Sequence, residues 1–162
     1  MTTLTERLSS ALVALGAQSP AGYAIALDIE LSTPRYLFQT YPTAWLSEYS
    51  AQGYVMKDAT VAWGMQNTGW QRWSELAGGA SDPVFQAAAA HGMNFGVVFA
   101  FEADGHKSIA SFARTDREFS VGEIEQLQRE LRMVHDLLSD DEQPDLDEIK
   151  KIRAVSVALS QT

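Results

Sequence analysis

Positions 41 to 73 read YPTAWLSEYSAQGYVMKDATVAWGMQNTGWQRW, a stretch dense in side chains that pair a large apolar body with one polar atom. Tyr41, Trp45 and Tyr49 stand at i, i+4 and i+8, so on a helix they form one stripe. Each carries a hydroxyl or indole N–H able to bond, and burying such a group without a partner is costly. A stripe of this kind suits a pocket that grips an amphipathic small molecule. An aromatic core stripe with satisfied hydroxyls is the plainer alternative, and the pattern alone leaves both open.

Asp58 stands between the apolar Tyr54-Val55-Met56 and Ala59-Thr60-Val61-Ala62. A carboxylate there can cap the helix that follows, or it can accept a hydrogen bond from a buried ligand amide. Trp63, Trp70 and Trp73 add three large rings close by. Four tryptophans in so short a chain favour a cavity over plain packing, although tryptophans also serve cores.

Enzyme signatures are missing: the sequence has no G-x-S-x-G, P-loop, H-E-x-x-H or G-x-G-x-x-G. His91, His106 and His135 lie far apart without ligand spacing and read as surface or cap histidines. A hydrolase with Asp58 as base lacks a nucleophile, a metal set and an oxyanion motif. The chain is therefore expected not to be an enzyme and to need no cofactor.

The elements that must position these residues are legible in outline. Thr3 and Glu6 have capping-box spacing before a helix over about Thr5 to Ala17. GYAIALDIE alternates, with Tyr23, Ile25, Leu27 and Ile29 expected on one face of a strand. A turn at Ser32-Thr33-Pro34 leads to a second strand, RYLFQT, and the short connection implies an antiparallel hairpin. Pro42 and Gly53 bracket a helix, and Asp58 to Met65 makes another. Trp70 to Leu76 reads as extended. Asp82-Pro83 starts a helix running to His91, with Gly92 as its stop. Phe95 to Phe101 and Lys107 to Arg114 are two more strands around a turn at Ala103-Asp104-Gly105. Ser120 and Glu123 form a second capping box, before the longest amphipathic helix, carrying Val121, Ile124, Leu127, Leu131, Val134 and Leu138. An acidic linker, SDDEQPDLD, and a weakly periodic tail follow.

The order α, β-hairpin, helices, β-hairpin, α predicts an α+β (α/β) domain over 1–138. Its antiparallel sheet is sandwiched between helices (α-β-α), as in PAS- and GAF-like sensors, with linker and tail over 139–162. The 162 residues suffice for one such core. A net charge of -9 repels phosphate backbones. The absence of cysteine fits a reducing cytoplasm, and no apolar run reaches the roughly 18–20 residues of a membrane span. A cytoplasmic protein is expected.

The run Y-P-x-x-W-x-x-x-Y-x-x-x-x-Y-x-x-x-D, with Trp73 fifteen residues after Asp58, resembles the autoinducer-binding domain of LuxR-type quorum-sensing regulators. The resemblance covers roughly Leu4 to Leu138. It implies an antiparallel sheet between helical layers and an N-acyl-homoserine lactone as ligand. It implies that Trp45 donates to the lactone carbonyl, Asp58 accepts from the ligand amide and Tyr41 donates to the acyl carbonyl. It also implies that Tyr49 packs on the ligand, Trp73 walls the lactone end and Ser111 bonds the ligand, with Gly96 at the start of the third strand. Met56, Val61, Met65, Phe95, Val97 and Phe99 are expected for the apolar wall or ordinary core. Each buried hydrogen bond would contribute on the order of 1 kcal/mol, and each buried methylene roughly 0.8 kcal/mol.

The chain departs from the family pattern at Ala59, where a proline is usual, and near Ala100 on the third strand. No helix-turn-helix is seen before Thr162, so DNA would be reached only through a domain outside this chain. It reads either as a piece of a longer regulator or as a short protein that pairs with one. Expected partners are the small-molecule autoinducer and a second copy or a LuxR-type regulator, without a membrane. The alternative is a ligand-independent dimerisation or anti-activator module whose pocket has collapsed around Trp63, Trp70 and the phenylalanines.

Overall fold

The computed structural model describes residues 3–31, 33–103 and 105–138. The linker and tail expected over 139–162 lie outside the described residues, as do Ser32 and Asp104 of the two expected turns.

Helix α1 (Leu4–Gln18) opens on the expected capping box: the Thr3 hydroxyl accepts from the Glu6 amide and Glu6 accepts from the Thr3 amide. Strands β1 (Gly22–Glu30) and β2 (Thr33–Gln39) make the first hairpin. Helices α2 (Thr43–Ala51) and α3 (Ala59–Gln66) follow, separated by a 3-10 turn over Tyr54–Lys57. Next come β3 (Gly69–Arg72), a 3-10 turn over Trp73–Glu75 and α4 (Pro83–Ala89). The second hairpin, β4 (Phe95–Ala103) and β5 (His106–Arg114), leads to α5 (Val121–Leu138).

The five strands form one antiparallel sheet in the order β2-β1-β5-β4-β3. Alternation gives the sheet two apolar faces, and each is covered by helices. On one face Tyr23, Ile25, Leu27, Phe38, Val97, Phe99 and Phe112 pack with α1 and α5 through Leu8, Leu12, Leu15, Ile124, Leu127 and Leu131. On the other, Val98, Ala100, Ile109 and Ala113 meet Tyr41, Trp45, Trp73, Val84 and Ala88. This is the predicted α+β sandwich.

Four local expectations need correction. Ile29 does not share a face with Tyr23, Ile25 and Leu27; it packs on the opposite face. The cause is a register shift between Ala26 and Ile29, where Asp28 adopts a left-handed φ of 57°. Thr33 and Pro34 are not turn residues but belong to β2, paired with Glu30 and Ile29; β2 is an edge strand, where proline is tolerated. Helix α4 stops at Ala89, short of His91. His135 is no surface residue: it is buried on α5 with its ring edge-on to Phe101 at 5.1 Å.

Candidate functional site

The site lies on the sheet face opposite α1 and α5. Tyr41 and Pro42 lead into α2, and the i+4 spacing turns Trp45 inward beneath Tyr49. Trp45 is 3% exposed and sits in a nest of rings. Tyr49, Tyr54 and His91 lie 5.7, 5.6 and 5.6 Å from it, centroid to centroid. Glu48 ties this nest together, 3.1 Å from His91 Nε2 and accepting from the Tyr54 hydroxyl at 3.0 Å. These two bonds, His91's the larger, hold the Glu48 carboxyl below its ordinary range. His91 is thus a link from α4's end to α2 rather than a free surface residue.

Asp58 is the N-cap of α3. Its Oδ1 accepts from the Thr60 amide at 2.9 Å and the Thr60 hydroxyl at 2.6 Å, and its Oδ2 accepts from the Tyr49 hydroxyl at 2.7 Å. Burial, reinforced by the Asp58 charge, pushes the Tyr49 hydroxyl's pKa up, so it stays a donor. A carboxylate has about four acceptor directions, and three are in use here. One remains on the Oδ2 side.

Ser111 on β5 forms the other polar focus. Its Oγ accepts from Trp73 Nε1 at 2.7 Å, and its carbonyl accepts from the Tyr41 hydroxyl at 3.1 Å. The Ser111 proton points only to a distant Val97 carbonyl, at 3.5 Å, and is free to turn elsewhere. Trp73 stacks on Phe85 at 5.2 Å and lies flat over Gly96, where an added Cβ would sit 2.2 Å from the ring. Gly96 is required for that close approach.

Between these foci lies a cavity of about 470 Å³, within the range of small-molecule sites. Tyr41, Trp45, Tyr49, Asp58, Val61, Trp73 and Ser111 all line it. Met56 and Met65 also reach it. Phe95 does not. By strand alternation it points the same way as Val97 and Phe99, which pack into the α1–α5 core, so these three phenylalanine and valine positions are not pocket wall. Trp70 likewise packs on that far side, while Trp63 joins the cavity-side cluster without lining the space. The face is therefore not filled by the rings that a collapsed pocket would need.

Among the lining residues that sequence reasoning missed are Ala24, Ala26, Ile29, Val84, Ala88, Met93 and Ile109. A signal for two of them was present: β1 alternates large Tyr23, Ile25 and Leu27 with small Ala24 and Ala26. Small residues on one face of a central strand leave room there, which is why the cavity is on this face.

Chemically, the space offers one open acceptor direction at Asp58 and a redirectable hydroxyl at Ser111. Among the described residues the Trp45 indole N–H has no hydrogen-bond partner. The Tyr41 proton already bonds the Ser111 carbonyl, so donating it to a ligand requires an exchange of partners.

Comparison with known proteins gives the following likenesses. The family model described as the autoinducer binding domain matches residues 1–140. The transcriptional activator protein SolR of Ralstonia nicotianae is 28% identical over 107 residues, which are 65% of this chain and 45% of SolR. The chain thus spans less than half the length of that relative. Escherichia coli SdiA superimposes with a TM-score of 0.64 at 22% identity, covering 91% of this chain and 67% of that one. SdiA in complex with octanoyl-rac-glycerol gives 0.63 at 22% identity, covering 90% and 65%. CepR2 from Burkholderia cenocepacia, described as an N-acylhomoserine lactone dependent LuxR family transcription factor, gives 0.57 at 19% identity, covering 82% and 84%. At these identities the structures establish the shared fold.

Proposed function

The chain belongs to the autoinducer-binding domain family of LuxR-type quorum-sensing regulators, a non-enzymatic regulatory family, and from that premise we propose that its cavity binds an N-acyl-homoserine lactone. The observation that carries this reading is the arrangement of polar groups around an otherwise apolar space. Asp58 has an acceptor direction left for the ligand amide N–H, and Trp45 and Ser111 have donors left for its two carbonyls. That inventory complements a lactone amide. The remaining wall is aliphatic and aromatic, as an acyl chain requires.

In this reading Trp45, Asp58, Tyr41 and Ser111 make the polar contacts, while Tyr49, Val61 and Trp73 shape the walls. The domain over 1–138 is the sensing part of a cytoplasmic transcriptional regulator that works as a dimer, with DNA contacted by a separate domain. The family supports the regulatory role, and the fold and the open cavity support the binding of a small molecule. The octanoyl-rac-glycerol bound by SdiA marks a neutral medium-chain amphiphile as a related ligand class.

A thermal-shift screen against lactones with short, long, oxo-substituted and aryl acyl groups tests the proposal. Ligand at a hundredfold excess over its Kd stabilises the folded state by about 2.7 kcal/mol. A dose-dependent rise for one class is expected. A flat response to all of them, with self-association intact, favours the ligand-independent dimerisation module instead.

A further inference from the structure

The cavity changes character along its length. Its closed end is built of buried rings and polar groups: Tyr41, Trp45, Trp73 and Ser111 are each at most 8% exposed. Its mouth is aliphatic. Leu31, Leu37, Val55, Met56 and Met65 also line it, yet they range from 46% exposed at Met65 to 94% at Leu31.

Among the described residues eight large hydrophobic side chains are exposed, and these are five of them. They come from three separate places: the β1–β2 hairpin, the turn over Tyr54–Lys57 and helix α3. Single exposed apolar residues need no explanation, but a set that converges on one apolar cavity marks contact with something apolar. Two of the five are methionines, whose unbranched side chains adapt to an occupant of variable shape.

We infer that the ligand lies head-in and tail-out, with the end of its acyl chain crossing this rim, so that the domain takes long-chain signals without an upper limit of length. The inference rests on the lactone reading of the same cavity. Its physical consequence is a distinctive length profile. Each methylene held against apolar wall raises affinity about fourfold. Methylenes beyond the rim gain little and meet no wall. Affinity therefore climbs with chain length and then levels off. A sealed cavity behaves differently, because a chain too long for it forces side chains off their rotamers and affinity drops. A second copy of the chain seated over the rim would seal the mouth in the same way.

The test is a calorimetric titration of the protein with unsubstituted lactones from butanoyl to hexadecanoyl, repeated with Met56→Ser and Leu31→Ser. The expected result is a rise to a plateau. The rim variants should weaken the long members about fourfold more than the butanoyl member. A sharp optimum, followed by a loss of affinity of about tenfold or more for longer chains, overturns the tail-out geometry while the lactone reading stands. Rim variants that weaken short and long members alike also overturn it. If no member of the series binds, the lactone reading itself falls, and this inference with it.

Discussion

At Asp58 the helix cap that the sequence allows is present, and the same carboxylate lines the cavity, where the bond to a ligand amide is proposed. It caps α3 through Oδ1 and lines the cavity while accepting from Tyr49 through Oδ2. The roles separate in Asp58→Asn, because asparagine caps helices about as well as aspartate. Stability should change little, whereas lactone affinity should fall about 10- to 100-fold, the worth of a hydrogen bond to a charged partner. Calorimetry with a parallel melt checks this; unchanged affinity would remove Asp58 from the binding set. At Gly96 the prediction is steric. Gly96→Ala places a methyl 2.2 Å from the Trp73 ring, so Trp73 must leave its bond to Ser111 and its stack on Phe85. Overpacking of this kind costs about 1–3 kcal/mol, and ligand binding should weaken with it; the loss of the wild-type tryptophan fluorescence signature would report the displaced ring. Most of the polar lining of the cavity was legible in the sequence because its residues are near neighbours there. Ser111 and Gly96 came only from the family resemblance, since both act on Trp73 from more than twenty positions away.

Helix α5 starts at a charged cluster that the sequence already marked as a capping box. The Ser120 amide donates to Glu123 Oε1 at 2.8 Å, the Glu123 amide donates to Ser120 Oγ at 3.1 Å, and Arg117 grips both Glu123 oxygens at 2.7 and 2.9 Å. Arg117 first, and then the Ser120 amide, hold the Glu123 pKa at about 2, below its ordinary 4.5. A carboxylate depressed in the folded state stabilises it above the ordinary value, and that contribution fades as pH falls towards the folded value. Tm should therefore decline between about pH 4.5 and pH 2. Glu123→Gln keeps the capping geometry but not the charge, so its decline over that window should be shallower, with a cost at neutral pH on the order of 1 kcal/mol or less for so exposed a pair. Melts of both proteins across the acid range check this, and parallel curves would show that Glu123 is not a contributor. Both capping boxes and the strand alternation were readable because they are local patterns. The bulge at Asp28 was not, because it lies in the pairing of β1 with the distant β5 and leaves no local signature. Phe95 failed for a related reason: alternation separates two faces of a strand, but only packing tells which one meets the cavity.

At the scale of the whole molecule, one sheet separates two apolar clusters with different work. The α1–α5 side is a packed core, and its phenylalanines and leucines are almost wholly buried. The α2–α4 side keeps a cavity because β1 offers alanines to it and because its large rings are held at the wall, Tyr41 by a hydrogen bond, Trp73 by a hydrogen bond and stacking, and Trp45 by edge-on and tilted ring contacts. Such a division predicts that stability and binding respond to different substitutions. Leu127 lies fully buried between α5 and the sheet, with no contact on the cavity. Leu127→Ala removes that packing and should cost about 2–5 kcal/mol of folding free energy. Measured well below its own Tm, however, the variant should bind lactone within about twofold of the wild type, since distant sites without shared partners act independently. Asp58→Asn should show the opposite pattern. Denaturant melts and calorimetry on both variants and their combination decide the matter. Additive losses would establish the sheet as a rigid partition. A tenfold loss of affinity in Leu127→Ala would instead mean that the α1–α5 core sets the shape of the cavity through the strands, so that a change at those helices and a signal in the pocket are felt by each other.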